Sequence, residues 1–156
     1  MKKILVSACL LGYPCRYDAA GKPCQKVIDL GKENILIPVC PEQLGGLSTP
    51  RLPSERQFDE NGKPKPFICE DGPVEGAVLM KDGSDVTENY VRGAFIALDV
   101  ANENEVDMAI LKAGSPSCGH GLIYDGSFDG KKVPGNGITA ELLESMGIKV
   151  MSDEEI

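Results

Sequence analysis

The sequence predicts an α/β protein: a single domain, residues 1–156, with an open, mainly parallel sheet and flanking helices in a Rossmann-like arrangement. Three observations predict this fold. Short apolar runs alternate along the chain with loops and with segments of helical periodicity, as in strands joined by helical crossovers. The 156 residues suffice for one domain with its own core. The hydrophobic fraction of 42% and the charged fraction of 26% are typical of a globular chain.

Four apolar runs predict the strands of the sheet. The first ends at Cys9 and a Gly-Tyr-Pro breaker, and the second ends at Cys40 and a proline. All four are short enough for buried strands. In chain order they are residues 3–8, 35–39, 108–111 and 148–151.

Helical periodicity is clearest in the second half of the chain. Ser84 is the predicted N-cap of a long helix that reaches about Asn104. Residues 139–146 predict a shorter helix that ends at Gly147, and residues 27–30 predict a helical turn. The apolar positions that define the long helix are Val86, Tyr90, Val91, Ala94, Phe95 and Leu98.

Two polar segments predict irregular structure. Residues 15–25 carry charges, glycine and proline, which indicates an extended loop. Residues 49–66 are rich in Pro, Lys, Arg and Glu and have no sustained period. We expect this second segment to be an exposed hairpin or a flap.

Cysteines follow three of the predicted strands. Cys9 and Cys40 come directly after the first two, and Cys118 lies in the glycine-rich loop after the third. Ligands of open α/β sheets bind just beyond the carboxyl ends of the strands, so we expect these thiols to lie near one another. Thiolates bind both iron–sulfur clusters and zinc. The six cysteines include no Cys-x-x-Cys pair, which disfavours a structural zinc site.

Most of the cysteines also have a simpler interpretation, which is hardest to apply to Cys118, in a loop between serine and glycine. Cys9 and Cys40 could be buried core thiols, and the Phe67-Ile68-Cys69 run favours a core position for its cysteine. Cys15 and Cys24, in the polar loop, could face solvent, act as resolving thiols or supply a fourth ligand. The residues alone leave these alternatives open.

Charge and hydropathy limit the partners and the compartment. A net charge of −8 disfavours nucleic acid, whose phosphates such a surface repels. No window approaches the roughly 18 apolar residues of a membrane span. The N-terminal apolar run is shorter than the about 7–15 residues of a signal-peptide core. We therefore expect a cytoplasmic protein, where cysteines more often bind metal or react than form disulfides.

Five motifs, in chain order, carry a resemblance to a known family. They are Ser7-Ala8-Cys9-Leu10-Leu11-Gly12, Cys15-Arg16-Tyr17-Asp18, Pro38-Val39-Cys40-Pro41-Glu42-Gln43-Leu44-Gly45-Gly46-Leu47, Pro50-Arg51-Leu52-Pro53 and Ser115-Pro116-Ser117-Cys118-Gly119. Together with Gly135-Asn136-Gly137 they resemble a bacterial family once catalogued as a domain of unknown function, whose characterised members are thiouracil desulfidases. The chain departs from the family pattern at Ala19, where glycine is usual.

The resemblance implies a [4Fe–4S] cluster held by Cys9, Cys40 and Cys118. Its fourth iron would bind the sulfur of a thiocarbonyl substrate, which water then replaces without redox chemistry. The acid/base glutamate and the serine of the family resemble Glu42 and Ser115. The alternative for Glu42 is a surface carboxylate or a helix cap, and for Ser115 the start of a turn.

Other polar residues have two interpretations each. Arg16, Tyr17 and Asp18 could hydrogen-bond the imide edge of a pyrimidine or form a structural ion pair, and Arg51 could do either. The lone histidine, His120, could shuttle a proton, but a loop histidine is more often solvated, which is the expectation here. We expect a small thiolated substrate and a monomer or homodimer. The alternatives to a desulfidase are a non-enzymatic iron–sulfur or sulfur carrier and a zinc or thiol-redox protein.

Overall fold

The structure is a computed structural model that describes residues 1–69 and 72–156, without the side chains of residues 66–75. The expected core position of Cys69 concerns a side chain outside this description. The strands are β1 (Lys3–Ser7), β2 (Ile35–Val39), β3 (Ser54–Arg56), β4 (Pro66–Cys69), β5 (Gly72–Glu75), β6 (Val78–Met80), β7 (Met108–Leu111), β8 (Leu122–Tyr124), β9 (Lys132–Pro134) and β10 (Lys149–Ser152). The helices are α1 (Gln25–Leu30), α2 (Pro41–Leu44), α3 (Thr87–Glu103) and α4 (Ile138–Ser145), with 3₁₀ helices at Ala8–Leu11 and Asp153–Glu155.

A four-stranded parallel sheet in the order β10-β7-β1-β2 forms the centre of the fold. Leu5 of β1 lies opposite Ile37 of β2 on one side and Ala109 of β7 on the other. The neighbouring Ile4 and Val6 are at most 2% exposed, because helices and loops cover both faces. This arrangement confirms the predicted α/β fold.

Each face of the sheet has its own apolar core. Leu98 of α3 and Leu143 of α4 pack on one face together with Leu5 and Val150. On the other face, Val27 of α1 packs with the segment that follows β1. The carboxyl ends of the strands are thereby left at one edge, flanked by loops. None of the helices in residues 1–69 and 72–156 has the length and apolar character that a bilayer span requires.

Two glycines let α2 approach α3 at backbone distance. A Cβ atom at Gly45 would lie 1.9 Å from the Asn89 carbonyl oxygen, and one at Gly93 would lie 1.9 Å from the Pro41 carbonyl oxygen. No side chain fits at either position. Since α2 begins directly after Cys40, this contact fixes the direction in which its first turn presents side chains.

The predicted strands match the sheet to within one residue at each end. The prediction of Ser84 as the N-cap of the long helix is wrong. The helix begins at Thr87, and the Asp85 carboxylate accepts the Thr87 N–H at 2.9 Å. Ser84 instead belongs to the turn after β6, where its carbonyl oxygen accepts the Met80 N–H at 2.8 Å.

The expectation that residues 49–66 are an exposed excursion is wrong for part of the segment. Its residues 54–56 form β3, which pairs antiparallel with β6. Arg56 and Phe58 are only 2% and 8% exposed. From sequence alone an arginine is expected to be exposed. Arg56 is buried, and its partners lie far along the chain.

Candidate functional site

A cavity of about 350 Å³ opens at the carboxyl edge of the sheet. Its walls are the segments that follow β1, β2 and β7, together with residues 51–55 and Tyr90 of α3. It brings together four cysteine thiols and most of the predicted site residues. These lining residues are Cys9, Cys15, Arg16, Tyr17, Cys40, Glu42, Ser115 and Cys118.

Each of the three predicted ligand cysteines is placed by the element that follows its strand. Cys9 lies in the 3₁₀ helix after β1, and Cys40 is the N-cap residue of α2. Cys118 lies in a loop held by the start of α4, because the Thr139 N–H donates to the Ser117 carbonyl oxygen at 2.9 Å. A Cβ atom at Gly137 would lie 2.4 Å from the Ser117 carbonyl carbon, so only glycine permits this contact.

Two of the three predicted ligand thiols, those of Cys40 and Cys118, have raised pKa values. Burial raises the pKa of Cys118 to about 12. The pKa of Cys40 is raised mainly by a hydrogen bond with Cys15 and, to a smaller extent, by burial. Metals bind thiolates, so loading this site would release protons. Within the described part of the chain, no three His, Cys, Asp or Glu side chains surround one point as ligands of a single ion.

Glu42 lies in the first turn of α2, and three side chains contact its carboxylate. Arg51 forms an ion pair with Oε2, and the Tyr90 hydroxyl donates to Oε1 at 2.9 Å. The Ser117 hydroxyl lies 3.4 Å from the same Oε1. The Glu42 side chain is 15% exposed, so it faces the cavity more than open solvent.

Arg51 forms an ion pair with Glu42, and an ion pair is one of the two roles that the sequence left open for it. Its side chain is 2% exposed, and it also donates to the Cys15 carbonyl oxygen at 3.0 Å. Further hydrogen bonds reach the Ser48 carbonyl oxygen at 3.1 Å and the Thr49 hydroxyl at 3.0 Å. Arg51 thus connects the loop of Cys15 to the carboxylate of Glu42.

Tyr90 stays protonated beside this carboxylate. Burial, together with the negative charge of Glu42, raises the pKa of Tyr90 well above its usual value. A neutral phenol remains a hydrogen-bond donor over the whole physiological pH range. The spacing of Tyr90 along α3 is that of a core residue, and the approach of α2 brings the Glu42 carboxylate to its hydroxyl.

Two serines lie beside Cys118 and differ in what they contact. Ser115 Oγ accepts the N–H groups of Ser117 and Cys118, each at 3.1 Å, so Ser115 shapes the turn. The Ser117 hydroxyl lies 2.9 Å from Ser115 Oγ and 3.5 Å from Cys118 Sγ. Ser117 is 1% exposed and is the serine within reach of Glu42. The sequence signal for it was its position directly before the cysteine.

The Arg16-Tyr17-Asp18 motif lies at the mouth of the cavity. The Arg16 guanidinium is 5.7 Å from the centre of the Tyr17 ring and 3.7 Å from Asp18 Oδ2. Asp18 accepts the Ala20 N–H at 3.1 Å and is absent from the described residues that line the cavity. Ala19 has a φ of 60°, the left-handed conformation that explains why glycine is usual at this position.

His120 is not the solvated side chain that its loop position suggested, and that expectation is wrong. Its side chain is 19% exposed, with Nδ1 2.5 Å from Glu155 and Nε2 3.3 Å from Glu144. These contacts join the loop after Cys118 to α4 and to the C-terminal 3₁₀ helix. A chain position cannot show such partners, because both glutamates are distant in sequence.

Known proteins are similar to this chain over nearly its whole length. The profile of the 2-thiouracil desulfurase family matches residues 4–155. The uncharacterized protein YbbK of Bacillus subtilis (strain 168) is 41% identical over 158 residues, covering 98% of this chain and 97% of that protein. A solved structure of the [4Fe-4S]-dependent thiouracil desulfidase TudS (DUF523Vcz) has a TM-score of 0.83 at 40% identity, covering 100% of this chain and 93% of that one. The chain belongs to the 2-thiouracil desulfurase family.

Proposed function

We propose that this chain is a [4Fe–4S]-dependent desulfidase, which replaces the sulfur of a thiouracil-like thiocarbonyl with oxygen from water and releases sulfide. The observation that carries the proposal is one cavity that holds Cys9, Cys40, Cys118 and a carboxylate anchored by buried partners. Membership of the family and the similarity to TudS support it.

The residues of the cavity fit a cluster. Iron–sulfur clusters take cysteine thiolates, and the predicted ligands are three thiols from three separate strand ends around about 350 Å³ of space. We assign Cys9, Cys40 and Cys118 as the ligands. When bound, the cluster supplies an iron without a protein ligand, a Lewis acid that polarises the thiocarbonyl.

Glu42 is the proposed acid/base group. The reaction converts C=S and H₂O to C=O and H₂S, so protons leave the water and reach the sulfur while no electron is gained or lost. A positioned carboxylate can take the proton of the attacking water and return it. The bonds from Arg51 and Tyr90 fix the carboxylate, and the Ser117 hydroxyl adds a donor between Glu42 and Cys118.

The substrate is a small molecule with a flat ring at the mouth of the cavity. Arg16 and Tyr17 line this mouth, as do Leu52 and Tyr124 from other segments. We propose that Tyr17 packs on the ring and that Arg16 donates to its carbonyl edge. Asp18 acts through its ion pair with Arg16. Ser115 acts through the turn that holds Ser117.

We place this activity in the cytoplasm, where thiols stay reduced. A monomer or homodimer would suffice, since every proposed group comes from one chain. Nucleic acid is not a proposed partner, because the net charge of −8 opposes it.

The test is anaerobic reconstitution followed by measurement of iron, labile sulfide and sulfide release from thiouracil. We expect an iron–sulfur chromophore and turnover. Glu42→Gln should lower kcat by about 10²–10⁴-fold, the usual contribution of a general acid/base, with the chromophore unchanged. Glu141→Gln is the matched control, because Glu141 also pairs with a buried arginine but lies outside the described cavity lining.

Other outcomes would contradict the proposal. A chromophore without turnover on any thiolated base or nucleoside would indicate a carrier. Zinc without iron or labile sulfide would indicate a zinc protein. Full activity in Glu42→Gln would remove Glu42 from the mechanism.

A further inference from the structure

One wall of the cavity holds a buried hydroxyl that has no role in the proposed reaction. Ser54, the first residue of β3, lines the cavity, and its hydroxyl oxygen is buried. Within the described residues this oxygen has no hydrogen-bond partner. Most buried polar groups in native proteins do have a partner, so an exception needs an explanation. The place of Ser54 in the cavity wall points to a hydrogen bond with a bound ligand.

The next residue, Glu55, also lines the cavity and supplies a hydrogen-bond acceptor. Its Oε1 accepts the N–H groups of Gly126 at 3.0 Å and Phe128 at 3.1 Å, so the loop between β8 and β9 fixes the carboxylate. No hydrogen bond or ion pair joins Oε2 to another residue in the described part of the chain. Glu55 is therefore a fixed carboxylate with one oxygen free to accept from a ligand.

Both residues lie beside the proposed position of the substrate ring. Their strand, β3, contacts β8, whose last residue, Tyr124, lines the same cavity. A hydroxyl donor next to a carboxylate acceptor complements a ring edge on which a carbonyl oxygen stands next to an N–H group. The imide edge of a uracil-type ring has this pattern. A cytosine-type ring has a bare nitrogen in place of the imide N–H and does not match it.

We propose that Ser54 and Glu55 determine which ring the site accepts: the Glu55 carboxylate accepts the imide N–H, and the Ser54 hydroxyl donates to the adjacent carbonyl oxygen. The inference rests on the proposed function, because it takes a thiouracil-like ring as the substrate. A carbonyl oxygen accepts two hydrogen bonds, so this contact is compatible with the one proposed for Arg16. A ring without the imide N–H leaves Glu55 without its donor, and the site rejects it.

The test measures the binding of uracil and 3-methyluracil to the anaerobically reconstituted protein by calorimetry. Uracil carries the imide edge and has no sulfur to lose, so its binding is measured without turnover. In 3-methyluracil a methyl group replaces the imide hydrogen. Wild type should bind uracil about 10–150-fold more tightly than 3-methyluracil, which is the range for a hydrogen bond to a charged group.

Two variants separate the two bonds. In Glu55→Gln the amide oxygen can still accept from Gly126 and Phe128, so the amide NH₂ group takes the place of Oε2 and meets the imide N–H as a second donor. This variant should lose the preference for uracil. Ser54→Ala should weaken the binding of both rings by a similar factor, about 2–10-fold, because both carry the carbonyl. Its urea midpoint should not fall, since the hydroxyl has no partner among the described residues.

Thr139→Val is the matched control for Ser54→Ala. Thr139 also has a buried hydroxyl without a partner among the described residues, but it is absent from the described cavity lining. The variant should bind both rings like wild type.

Each contrary result is distinct. Undetectable uracil binding, equal affinity of wild type for the two rings, or an unchanged preference in Glu55→Gln would overturn the inference, while sulfide release from thiouracil would leave the desulfidase intact. If Glu55→Gln does not fold, wild type and Ser54→Ala decide, and wild-type affinity for uracil in Ser54→Ala contradicts the inference. A cluster-loaded protein that prefers uracil but releases no sulfide from thiouracil would support the ring recognition and contradict the proposed function.

Discussion

Two buried arginines, five positions apart, form the same kind of ion pair in two different settings. Arg51 pairs with Glu42, and Arg56 pairs with Glu141. Both guanidinium side chains are 2% exposed. The glutamates differ, since Glu42 is 15% exposed and Glu141 is 53% exposed. The comparison shows that the environment of the carboxylate, and not the burial of the arginine, separates a candidate catalytic pair from a structural one.

The neighbours of each arginine agree with this distinction. Arg51 binds the loop of Cys15 and leaves one carboxylate oxygen of Glu42 to Tyr90 and Ser117. Arg56 donates to the Asn136 carbonyl oxygen at 2.7 Å, so it joins β3 to the segment before α4. A Cβ atom at Gly76 would lie 2.5 Å from Arg56 Nε, and glycine is needed there for the arginine to fit. Arg56 stabilises the fold around the site without entering the described cavity lining.

The largest expected effect comes from Arg51→Met. It leaves the mostly buried Glu42 carboxylate without its cation, which typically costs about 3–5 kcal/mol of unfolding free energy. Activity should fall as well, because the carboxylate loses its orientation. Urea unfolding and sulfide release from thiouracil measure the two effects. An Arg51→Met protein with wild-type activity would contradict the distinction between the two ion pairs, because Glu42 would then not need its partner.

Arg56→Met should lower stability by less. Glu141 can turn its carboxylate to solvent, so the main loss is the hydrogen bond to Asn136 and the packing around Gly76, about 1–3 kcal/mol. Sulfide release per cluster should match wild type. The same urea and activity measurements apply. A loss of activity as large as that of Arg51→Met, at equal cluster content, would contradict the distinction between the pairs.

The sequence predicted the sheet because its strands are short apolar runs, and it predicted the meeting of Cys9, Cys40 and Cys118 because parallel strands end at one edge. It did not predict the environment of Glu42. That environment depends on the backbone contact of Gly45 and Gly93, which brings α2 to Tyr90. A glycine in a sequence does not reveal which distant backbone it will contact.

The wrong N-cap prediction has a local cause. Ser84 and Asp85 are both common N-cap residues, and the carboxylate of Asp85 reached the helix start while Ser84 was engaged in the turn after β6. The family resemblance pointed to Ser115 and not to Ser117, and that assignment stays a prediction. Their hydroxyls differ only in three dimensions, where Ser117 faces Glu42. The roles assigned to the individual site residues stay predictions.

Ala19→Gly is expected to raise the free energy of unfolding, by less than the two arginine variants lower it. Ala19 lies in the same loop as Cys15, whose carbonyl oxygen accepts a hydrogen bond from Arg51. The change therefore tests backbone strain in the loop that the Arg51–Glu42 pair contacts. A left-handed conformation costs an L-residue about 1–2 kcal/mol, and glycine loses about 0.5–1 kcal/mol of that gain as backbone entropy. The urea midpoint should therefore rise for Ala19→Gly, with a gain in unfolding free energy of up to about 1.5 kcal/mol. A lower midpoint would show that Ala19 is not strained in the folded protein.

The smallest effect should depend on pH. Burial would lower the pKa of His120, but its hydrogen bonds with Glu155 and Glu144 outweigh burial and raise it. A raised pKa in the folded state means that the ion pairs stabilise the protein fully below the unfolded pKa of about 6.5, and that the contribution is lost as the pH rises through the folded pKa.

His120→Gln should accordingly be less stable than wild type at pH 6, by about 0.2–1 kcal/mol for pairs with half-exposed carboxylates, and nearly equal to it at pH 9. Urea unfolding at the two pH values measures the difference. Glu144 and Glu155 are 40% and 42% exposed, close to the 53% of Glu141 and far above the 15% of Glu42. A loss much larger than this would therefore mean that carboxylate exposure does not set the strength of an ion pair in this protein. A difference that stays constant with pH would assign the role of His120 to packing, because packing does not titrate.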